Sequence, residues 1–273
     1  MTRRRAAAAD APPPTALVTG ASAGIGEALA RCIARDGHAL VLVARSAGRL
    51  RTLAAELRAR HGVRIDVLPC DLSRRGAAAR LGATLQRRGI AVDVLVNNAG
   101  VLEQGAFAAA DAATHQKLID LNVSALTAML AAFVPGMVQR GRGRVLNVAS
   151  IAAFQPVPSL ACYAATKAYV LSLTESLAEE LRPAGVGVTA LCPGITATGM
   201  LDGAAQANPA LARLPAFVVG EVQAVAEAGW QACLKGEAIV VPGVVNQAAT
   251  WATRSAPRWL VRRVAGILGR AVE

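Results

Sequence analysis

A doubly wound α/β fold, with helices on both faces of one parallel sheet, is the fold class that this sequence predicts. Seven short runs rich in Val, Leu and Ile alternate with longer segments in which Leu and Ala recur at helical spacing. The runs are almost continuously apolar, as expected of strands that helices cover on both faces. A glycine-rich stretch follows the first run directly, which is typical of the turn that opens a nucleotide-binding βαβ unit.

The apolar runs and the helical segments can be placed in order along the chain. Together they predict a Rossmann-like, seven-stranded parallel sheet flanked by helices in a single domain. The predicted strands are 16–20, 38–44, 64–69, 92–97, 144–150, 186–192 and 238–243. The predicted crossover helices are 24–37, 46–60, 73–88, 111–139, 160–182 and 218–235.

The predicted domain spans residues 15–246, after a flexible N-terminal arm at 1–14 and before a C-terminal amphipathic helical extension at 247–273. The segment 199–217 mixes Gly, Pro and Ala with Leu, Met and Phe without clear periodicity. Because it follows a strand at the ligand end of such a sheet, a mobile substrate lid is one interpretation. An ordinary surface connection with one short helix is the other.

Composition limits the classes of protein that this chain can belong to. At 273 residues, 54% hydrophobic and 17% charged, it is long and apolar enough to bury one core, and it contains no uninterrupted apolar run near the roughly 20 residues of a membrane span. The net charge is +11, but the arginines are scattered and aromatic residues make up only 3%, which argues against a nucleic-acid partner. Five cysteines, an odd number without CxxC spacing, indicate a reduced, cytoplasmic protein.

The glycine-rich motif TGASAGIG occupies residues 19–26, between the first strand and the first helix. Gly20 permits the tight turn, Gly24 lets the backbone approach a pyrophosphate, and Gly26 allows the helix to pack against the strand. The free N–H groups at the start of the helix then bind the anion. The motif in this context predicts a dinucleotide site.

The end of the second strand bears on which dinucleotide is bound. Ala44 stands where an acidic residue would hold the ribose hydroxyls of NAD, and Arg45 follows it. A guanidinium there can pair with the 2′-phosphate of NADP, so NADP(H) is favoured over NAD(H), unless Arg45 is simply solvated. Asp71 can accept from the adenine amino group or cap the next helix, and the NNAG at 97–100 suits either cofactor contact or a structural turn.

A candidate catalytic group lies in YAATK at 163–167, where helical spacing places Tyr163 and Lys167 on one face. A free tyrosine titrates near pH ~10, and a neighbouring ammonium is expected to lower the pKa of the phenol. Tyr163 is then an acid for carbonyl reduction and a base for alcohol oxidation. Ser150, at the end of the fifth predicted strand, can donate to the same substrate oxygen.

The ordered set TGASAGIG, Asp71, NNAG, Asn122, Ser150, YAATK and PGITAT resembles the compact branch of the short-chain dehydrogenase/reductase family over residues 15–243. The resemblance implies that Tyr163 is the acid/base, that Ser150 orients the substrate, and that Lys167 both tunes Tyr163 and binds the nicotinamide ribose. Asn122 would hold a water in a proton relay to Lys167; otherwise it is a buried polar residue. The implied cofactor contacts are Gly20, Ser22, Gly24, Ile25, Gly26, Arg45, Asp71, Leu72, Asn98, Ala99, Gly100, Tyr163, Lys167, Pro193, Gly194, Ile195 and Thr198, the last of which could instead cap a helix.

The family's TG…VDGG ending is absent, because this chain reads KGEAIVVPGVVNQAATW from Lys235. That departure argues against a ketoreductase of fatty-acid synthesis, and it weakens the expectation of a homotetramer relative to a homodimer. The substrate is expected to be a small carbonyl or alcohol, and an apolar one. The residues expected to line its pocket are Leu102, Phe107, Phe154, Leu160, Met200 and Phe217.

The C-terminal extension carries Leu260, Val264, Ile267 and Leu268 on one helical face, with arginines beside it. Such a helix can lie on an anionic bilayer, but packing on the protein's own core or on a partner subunit is favoured. The three histidines lack partners at metal-ligand spacing, so no metal is expected. The rival interpretations are a non-catalytic NADP-binding sensor, a protein that acts at a membrane surface, and a dehydratase or epimerase.

Overall fold

The computed structural model describes residues 13–197 and 219–270, so nearly all of the predicted arm and the whole 199–217 segment lie outside the described residues. The strands are β1 Thr15–Thr19, β2 Ala39–Ala44, β3 Ile65–Pro69, β4 Val94–Asn97, β5 Gly143–Val148, β6 Val186–Leu191 and β7 Ile239–Val240. The helices are α1 Gly24–Arg35, α2 Ala47–His61, α3 Ala77–Arg87, α4 Ala112–Ile119, α5 Leu126–Gln139, α6 Ala161–Leu181, α7 Val222–Lys235, α8 Val244–Ser255 and α9 Arg258–Arg270.

All seven strands pair in parallel in the order β3-β2-β1-β4-β5-β6-β7, so the predicted fold is confirmed. The chain winds outward from β1 to β3 and then returns to place β4 on the other side of β1. Such a reversal opens a crevice at the carboxyl ends of β1 and β4, where open α/β sheets bind ligands.

Two apolar layers cover the sheet, one on each face. On one face, α1, α2 and α7 pack on alternate strand residues such as Val18 and Leu42. On the other face, α3, α5 and α6 pack on the intervening residues such as Leu17 and Val41. Because successive side chains point to opposite faces, both sets of positions must be apolar, which explains the unbroken apolar runs of the sequence.

Several elements differ from their predicted bounds, with β7 reduced from 238–243 to Ile239–Val240, and three of the differences have a local reason. β5 ends at Val148 rather than 150, because the chain then turns into a short 3-10 segment that Ser150 caps. α3 begins at Ala77 rather than 73, after Gly76 in the left-handed region at φ 76°. The long helix predicted at 111–139 is interrupted by a π-helical turn at Asp120–Ala125.

The helical segment Ala112–Gln139 is long and apolar enough to cross a membrane by length and composition alone, with a mean hydropathy of 1.7. In the fold, however, its α5 part buries Leu126, Met129, Leu130 and Phe133 against the sheet. This segment is therefore a core helix of the domain.

Helix α8 begins at Val244, so it crosses position 247, where the sequence placed the start of the C-terminal extension. α8 packs on the 3-10 segment Ile151–Phe154 and thereby on the carboxyl side of β5. All five cysteines are free thiols.

Candidate active site

One cleft of about 1300 Å³ runs along the carboxyl edge of the sheet. Among the predicted site residues, those that line it are Gly20, Ser22, Gly24, Ile25, Arg45, Asp71, Leu72, Asn98, Ala99, Gly100, Ser150, Tyr163, Lys167, Pro193, Gly194 and Ile195. Gly26 and Asn122 do not line it, and Thr198 lies outside the described residues. The structure thus brings almost all of the predicted contacts to one cavity.

The glycine-rich turn has the backbone that its sequence predicts. Gly20 and Gly24 have φ angles of 65° and 58°, in the left-handed region that disfavours other residues. A Cβ on Gly26 would overlap the carbonyl oxygen of Gly20, so Gly26 permits the close packing of the turn and does not contact the cleft. The assignment of Gly26 as a cofactor contact is therefore corrected to a packing role.

Helix α1 opens beside this turn without a side-chain cap, because its N-cap residue is Ala23. The first N–H groups of a helix have no partner within the helix, and together with the helix dipole they attract an anion. Gly24 lines the cleft at this point. A pyrophosphate therefore fits the uncapped start of α1 and the open backbone of the turn.

Hydrogen bonds between Asn98 and Thr19 join the ends of β1 and β4. The Asn98 side-chain nitrogen donates to the carbonyl oxygen of Thr19 at 3.0 Å, and Thr19 Oγ1 accepts from the backbone nitrogens of Asn98 and Ala99 at 2.9 and 3.0 Å. The sequence left a cofactor contact and a structural turn open for NNAG, and these hydrogen bonds are a structural role. The bonds hold the floor of the crevice in place.

The far end of the cleft carries two arginines. Arg45 precedes α2, and Arg49 lies in its first turn, where no acidic residue is present. Ser46, the N-cap of α2, makes no side-chain capping bond, so the start of this helix also suits an anion. Arg49 was missed by the sequence reasoning, although its place in the first turn of the helix that follows Arg45 was a usable signal.

Asp71 stands opposite these arginines in the same cleft. Its Oδ1 accepts from the hydroxyl of Ser73 at 2.7 Å and from the Ser73 backbone nitrogen at 3.2 Å. Those hydrogen bonds lower the pKa of the Asp71 carboxyl, with smaller contributions from Arg45 and Arg74. The carboxylate is thus charged and fixed at neutral pH, with its second oxygen beside Arg74 at 3.8 Å.

Ser150 and Tyr163 both line the cleft. Ser150 Oγ accepts a hydrogen bond from the backbone nitrogen of Ala152 at 3.1 Å, which fixes its rotamer. Tyr163 is 8% exposed. Burial raises the pKa of its phenol, and the neighbouring Ser150 hydroxyl opposes that rise.

Lys167 lies one helical turn beyond Tyr163 and is 7% exposed. Its Nζ donates to the carbonyl oxygen of Val148 at 2.8 Å and lies 5.7 Å from the centre of the Tyr163 ring. Burial lowers the pKa of Lys167 to about 8. The sequence predicted that Lys167 lowers the pKa of Tyr163. The structure does not show this effect, because the ammonium is directed at the Val148 carbonyl oxygen and burial of the phenol dominates its pKa.

Asn122 lies in the π-helical turn and is almost completely buried. Its side chain exchanges two 2.9 Å hydrogen bonds with the backbone of Val101 and donates to Thr166 Oγ1 at 3.2 Å. A Cβ on Gly100 would lie 3.1 Å from Asn122 Oδ1 and 3.6 Å from Lys167 Nζ. Asn122 and Lys167 therefore flank the same backbone segment, and π-helical turns are frequent at functional sites.

The rest of the cleft is lined mostly by apolar side chains, with the polar Gln104, Lys117 and Gln155 among them. Of the six residues expected to line a substrate pocket, Leu102 and Leu160 do so. The expectation is wrong for two others, because Phe107 is 62% exposed and stacks on His115, while Phe154 packs on the core below Arg254. Met200 and Phe217 lie outside the described residues.

Helices α8 and α9 complete this wall, and the sequence reasoning did not place them there. The α9 residues that line the cleft are Leu260, Val261, Val264 and Ala265, together with Ala252, Thr253 and Ala256 from α8 and its end. Amphipathic spacing identified an apolar face in this extension but not the surface that it covers. Within residues 13–197 and 219–270, no group of three or more His, Cys, Asp or Glu is placed to hold a metal.

Comparison with known proteins defines the family. The sequence profile described as short chain dehydrogenase matches residues 14–209. Oxidoreductase UcpA of Salmonella typhimurium is 38% identical over 201 residues, which cover 71% of this chain and 74% of that protein. The chain therefore belongs to the short-chain dehydrogenase family, whose members are oxidoreductases that use a nicotinamide cofactor on small molecules.

Two solved structures are similar over most of this chain. A short-chain dehydrogenase from Sphingobium yanoikuyae, in complex with NADPH, is 36% identical, with a TM-score of 0.78 over 90% of this chain and 97% of that one. The bulky-bulky ketone specific alcohol dehydrogenase from Comamonas testosteroni is 33% identical, with a TM-score of 0.75 over 90% and 95% of the two chains.

Proposed function

We propose that this protein is an NADP(H)-dependent oxidoreductase that interconverts a carbonyl and an alcohol on an apolar substrate, with Tyr163 as the general acid/base. The observation that carries the proposal is that Ser150, Tyr163 and Lys167 line the same cleft, with Lys167 Nζ 5.7 Å from the centre of the Tyr163 ring. A bound nicotinamide would supply the hydride in reduction or accept it in oxidation.

Tyr163 is arranged as a proton donor to a carbonyl oxygen. Burial raises the pKa of its phenol, so the hydroxyl is protonated at neutral pH and can give its proton as charge develops on the substrate oxygen. The Ser150 hydroxyl, which lines the same cleft, can donate to that same oxygen and fix its orientation. In alcohol oxidation the same proton moves in reverse.

Lys167 and Asn122 support this proton transfer from behind Tyr163. Lys167 lines the cleft one helical turn from Tyr163, where its ammonium would bind a ribose hydroxyl of the nicotinamide nucleotide. Asn122 holds the backbone of Val101 and lies near Lys167 across Gly100. We assign Asn122 the positioning of this segment and of the water that would connect Lys167 to solvent.

The preference for NADP(H) rests on the arginine pair at the adenosine end. Arg45 and Arg49 both face the cleft, and the first turn of α2 offers no carboxylate to a ribose diol. Guanidinium groups favour a 2′-phosphate, to which they donate charge-assisted hydrogen bonds. The NADPH bound to the Sphingobium yanoikuyae relative supports this choice.

The apolar wall supports an apolar substrate. Leu102, Leu160 and Val261 line the cleft on the side that the glycine-rich turn leaves open. Such surface favours a ligand that removes it from water. The relative from Comamonas testosteroni, named for bulky-bulky ketones, is consistent with this substrate class.

A homodimer or homotetramer is the expected assembly. Apolar side chains that remain exposed on α4, α5 and α6 include Ile119, Val138 and Tyr169. A second copy of the chain is a suitable cover for such a surface. Light scattering after gel filtration measures the mass, and a monomer at micromolar concentration would contradict the expectation.

A panel of ketones, aldehydes and alcohols, assayed with NADPH and NADH in parallel, tests the function. We expect the protein to oxidise NADPH with bulky apolar ketones as substrates. Its kcat/KM for these ketones should exceed that for small hydrophilic ketones. Tight NADPH binding without turnover of any compound would instead favour a non-catalytic sensor. Higher kcat/KM for small hydrophilic ketones would contradict the apolar substrate alone.

A further inference from the structure

The C-terminal helices concentrate exposed apolar and aromatic side chains in one segment of the chain. Val244 is 80% exposed, Trp251 75% and Trp259 59%, whereas Trp230, the third tryptophan of the chain, is fully buried. Val244 and Trp251 are seven residues apart and share one face of α8. A soluble surface rarely carries two large aromatic side chains in one short segment without a partner for them.

The same segment is strongly basic. Residues 244–272 contain five arginines, at 254, 258, 262, 263 and 270, and no Asp or Glu. Among the side chains that the structure describes, Arg254, Arg258, Arg262 and Arg263 take part in none of the ion pairs, which in this part of the chain are those of Glu227 and Lys235. Arg254 lies 5.8 Å from the centre of the Phe154 ring.

Helix α9 separates these features onto opposite faces. Val261, Val264 and Ala265 follow helical spacing and line the cleft. Trp259, Arg262 and Arg263 follow the same spacing on the other side, and all three are exposed. Leu260 and Val264, two residues of the predicted apolar stripe, thus line the cleft, and the opposite face combines a tryptophan with arginines.

We propose that the outward face of α8 and α9, named here the Trp-Arg face and defined by Trp251, Trp259, Arg262 and Arg263, binds an anionic lipid surface. Tryptophan settles at the boundary between head groups and acyl chains, because its ring is apolar and its N–H polar. Arginine pairs with lipid phosphates, and a segment without carboxylates does not repel them. Charge alone would suit any polyanion, but the exposed tryptophans and Val244 favour lipid.

Docking through this face would hold the active-site cleft at the membrane surface, because α9 lies between the two. An apolar substrate dissolved in the bilayer could then reach the cleft along the helix that lines it. The proposal does not depend on catalysis, and vesicle binding is measured without any substrate.

Co-sedimentation of the full chain with vesicles tests it. We expect binding to phosphatidylcholine vesicles that contain phosphatidylglycerol, weak binding to pure phosphatidylcholine, and loss of binding as salt is raised. Trp251→Ser/Trp259→Ser and Arg262→Gln/Arg263→Gln should each lower the apparent affinity by about tenfold or more. The matched control is Arg51→Gln/Arg60→Gln, which removes two exposed arginines from α2 and should leave vesicle binding within about twofold.

Absence of binding to either vesicle would overturn the proposal. An equal loss in the α2 control would also overturn it, because attraction would then follow net charge rather than this face. The remaining alternative is that this face is a contact between two copies of the chain, which light scattering detects. That alternative would hold if the wild type did not bind vesicles and the tryptophan variant had a lower assembly mass than the wild type. Circular dichroism and NADPH binding confirm that each variant is folded.

Discussion

The ammonium nitrogen of Lys167 donates a 2.8 Å hydrogen bond to the carbonyl oxygen of Val148, the last residue of β5. The bond ties α6, which carries Tyr163, to the strand that leads into Ser150. A second bond, from the Asn147 side-chain nitrogen to Thr174 Oγ1 at 2.9 Å, joins the same two elements. The proton-handling groups are therefore held on one rigid pair of elements.

The buried charge of Lys167 gives the first prediction. Burial lowers its pKa from the usual 10.5 to about 8. Between those pH values the unfolded chain binds a proton that the folded chain has released, so the free energy of unfolding rises with pH across this window. The wild type should gain about 3 kcal/mol relative to Lys167→Met between pH 8 and 10.5, by the conversion of about 1.4 kcal/mol per pKa unit.

Urea unfolding of both proteins from about pH 7 to 10.5 measures this difference. Lys235→Met, which removes an exposed lysine, is the matched control and should show no such trend. A stability difference between wild type and Lys167→Met that stays constant over this range would contradict a lowered pKa at Lys167.

Cofactor choice should depend on the arginine pair. Arg45→Gln and Arg49→Gln should each lower the ratio of kcat/KM with NADPH to that with NADH by about 10- to 100-fold, the usual worth of a charged hydrogen bond. Arg51→Gln, which alters an exposed arginine of the same helix, serves as control. If the ratio stays unchanged in both variants, the arginines are solvated and another feature selects the cofactor.

Substitution by alanine should destabilise the protein at Gly26, which is closely packed, and stabilise it at Gly48, which has free space around it. In Gly26→Ala the new Cβ overlaps the Gly20 carbonyl oxygen, so we expect a loss of about 1–3 kcal/mol in unfolding free energy and weaker NADPH binding. A Cβ added to Gly48, inside α2, would meet nothing within 4 Å, so Gly48→Ala should stabilise by about 0.5–1 kcal/mol. Chemical denaturation and NADPH titration of the two variants check both statements.

Substitutions in the part of α9 that lines the cleft should change substrate turnover and leave cofactor binding unchanged. Val261→Ser removes apolar surface from the cleft and should lower kcat/KM for a bulky apolar ketone by about fivefold, corresponding to about 1 kcal/mol of lost burial. Val245→Ser, at an exposed position that does not line the cleft, should change neither kcat/KM nor the NADPH dissociation constant. Equal effects of the two changes would mean that α9 does not contact the substrate.

The sheet and the catalytic group could be predicted because each has a local signature. Strands buried on both faces must be apolar at every position, and residues four apart on a helix share a face, which placed Tyr163 and Lys167 together. The order of the motifs then matched them to the carboxyl edge of the sheet.

Other features depend on contacts between distant segments, which no local pattern encodes. The end of β5 before Ser150, the π-helical turn around Asn122 and the direction of the Lys167 ammonium are all set by tertiary packing. The amphipathic pattern of α9 predicted an apolar face, but only the fold shows that Val261 and Val264 turn that face toward the cleft.

The central claim, that Tyr163 transfers the proton, is tested most directly by comparing the two tyrosines of the chain. Tyr169 lies on the same helix, is 39% exposed and bonds Thr127 Oγ1 at 2.9 Å, so Tyr169→Phe removes an equivalent hydroxyl outside the cleft. In steady-state reduction of an apolar ketone with NADPH, Tyr163→Phe should lower kcat by about 10²- to 10⁴-fold, which is the usual contribution of general acid catalysis. The NADPH dissociation constant of this variant should stay unchanged. Tyr169→Phe should retain wild-type kcat. Turnover by Tyr163→Phe within about twofold of wild type would contradict the assignment of Tyr163 as the general acid/base.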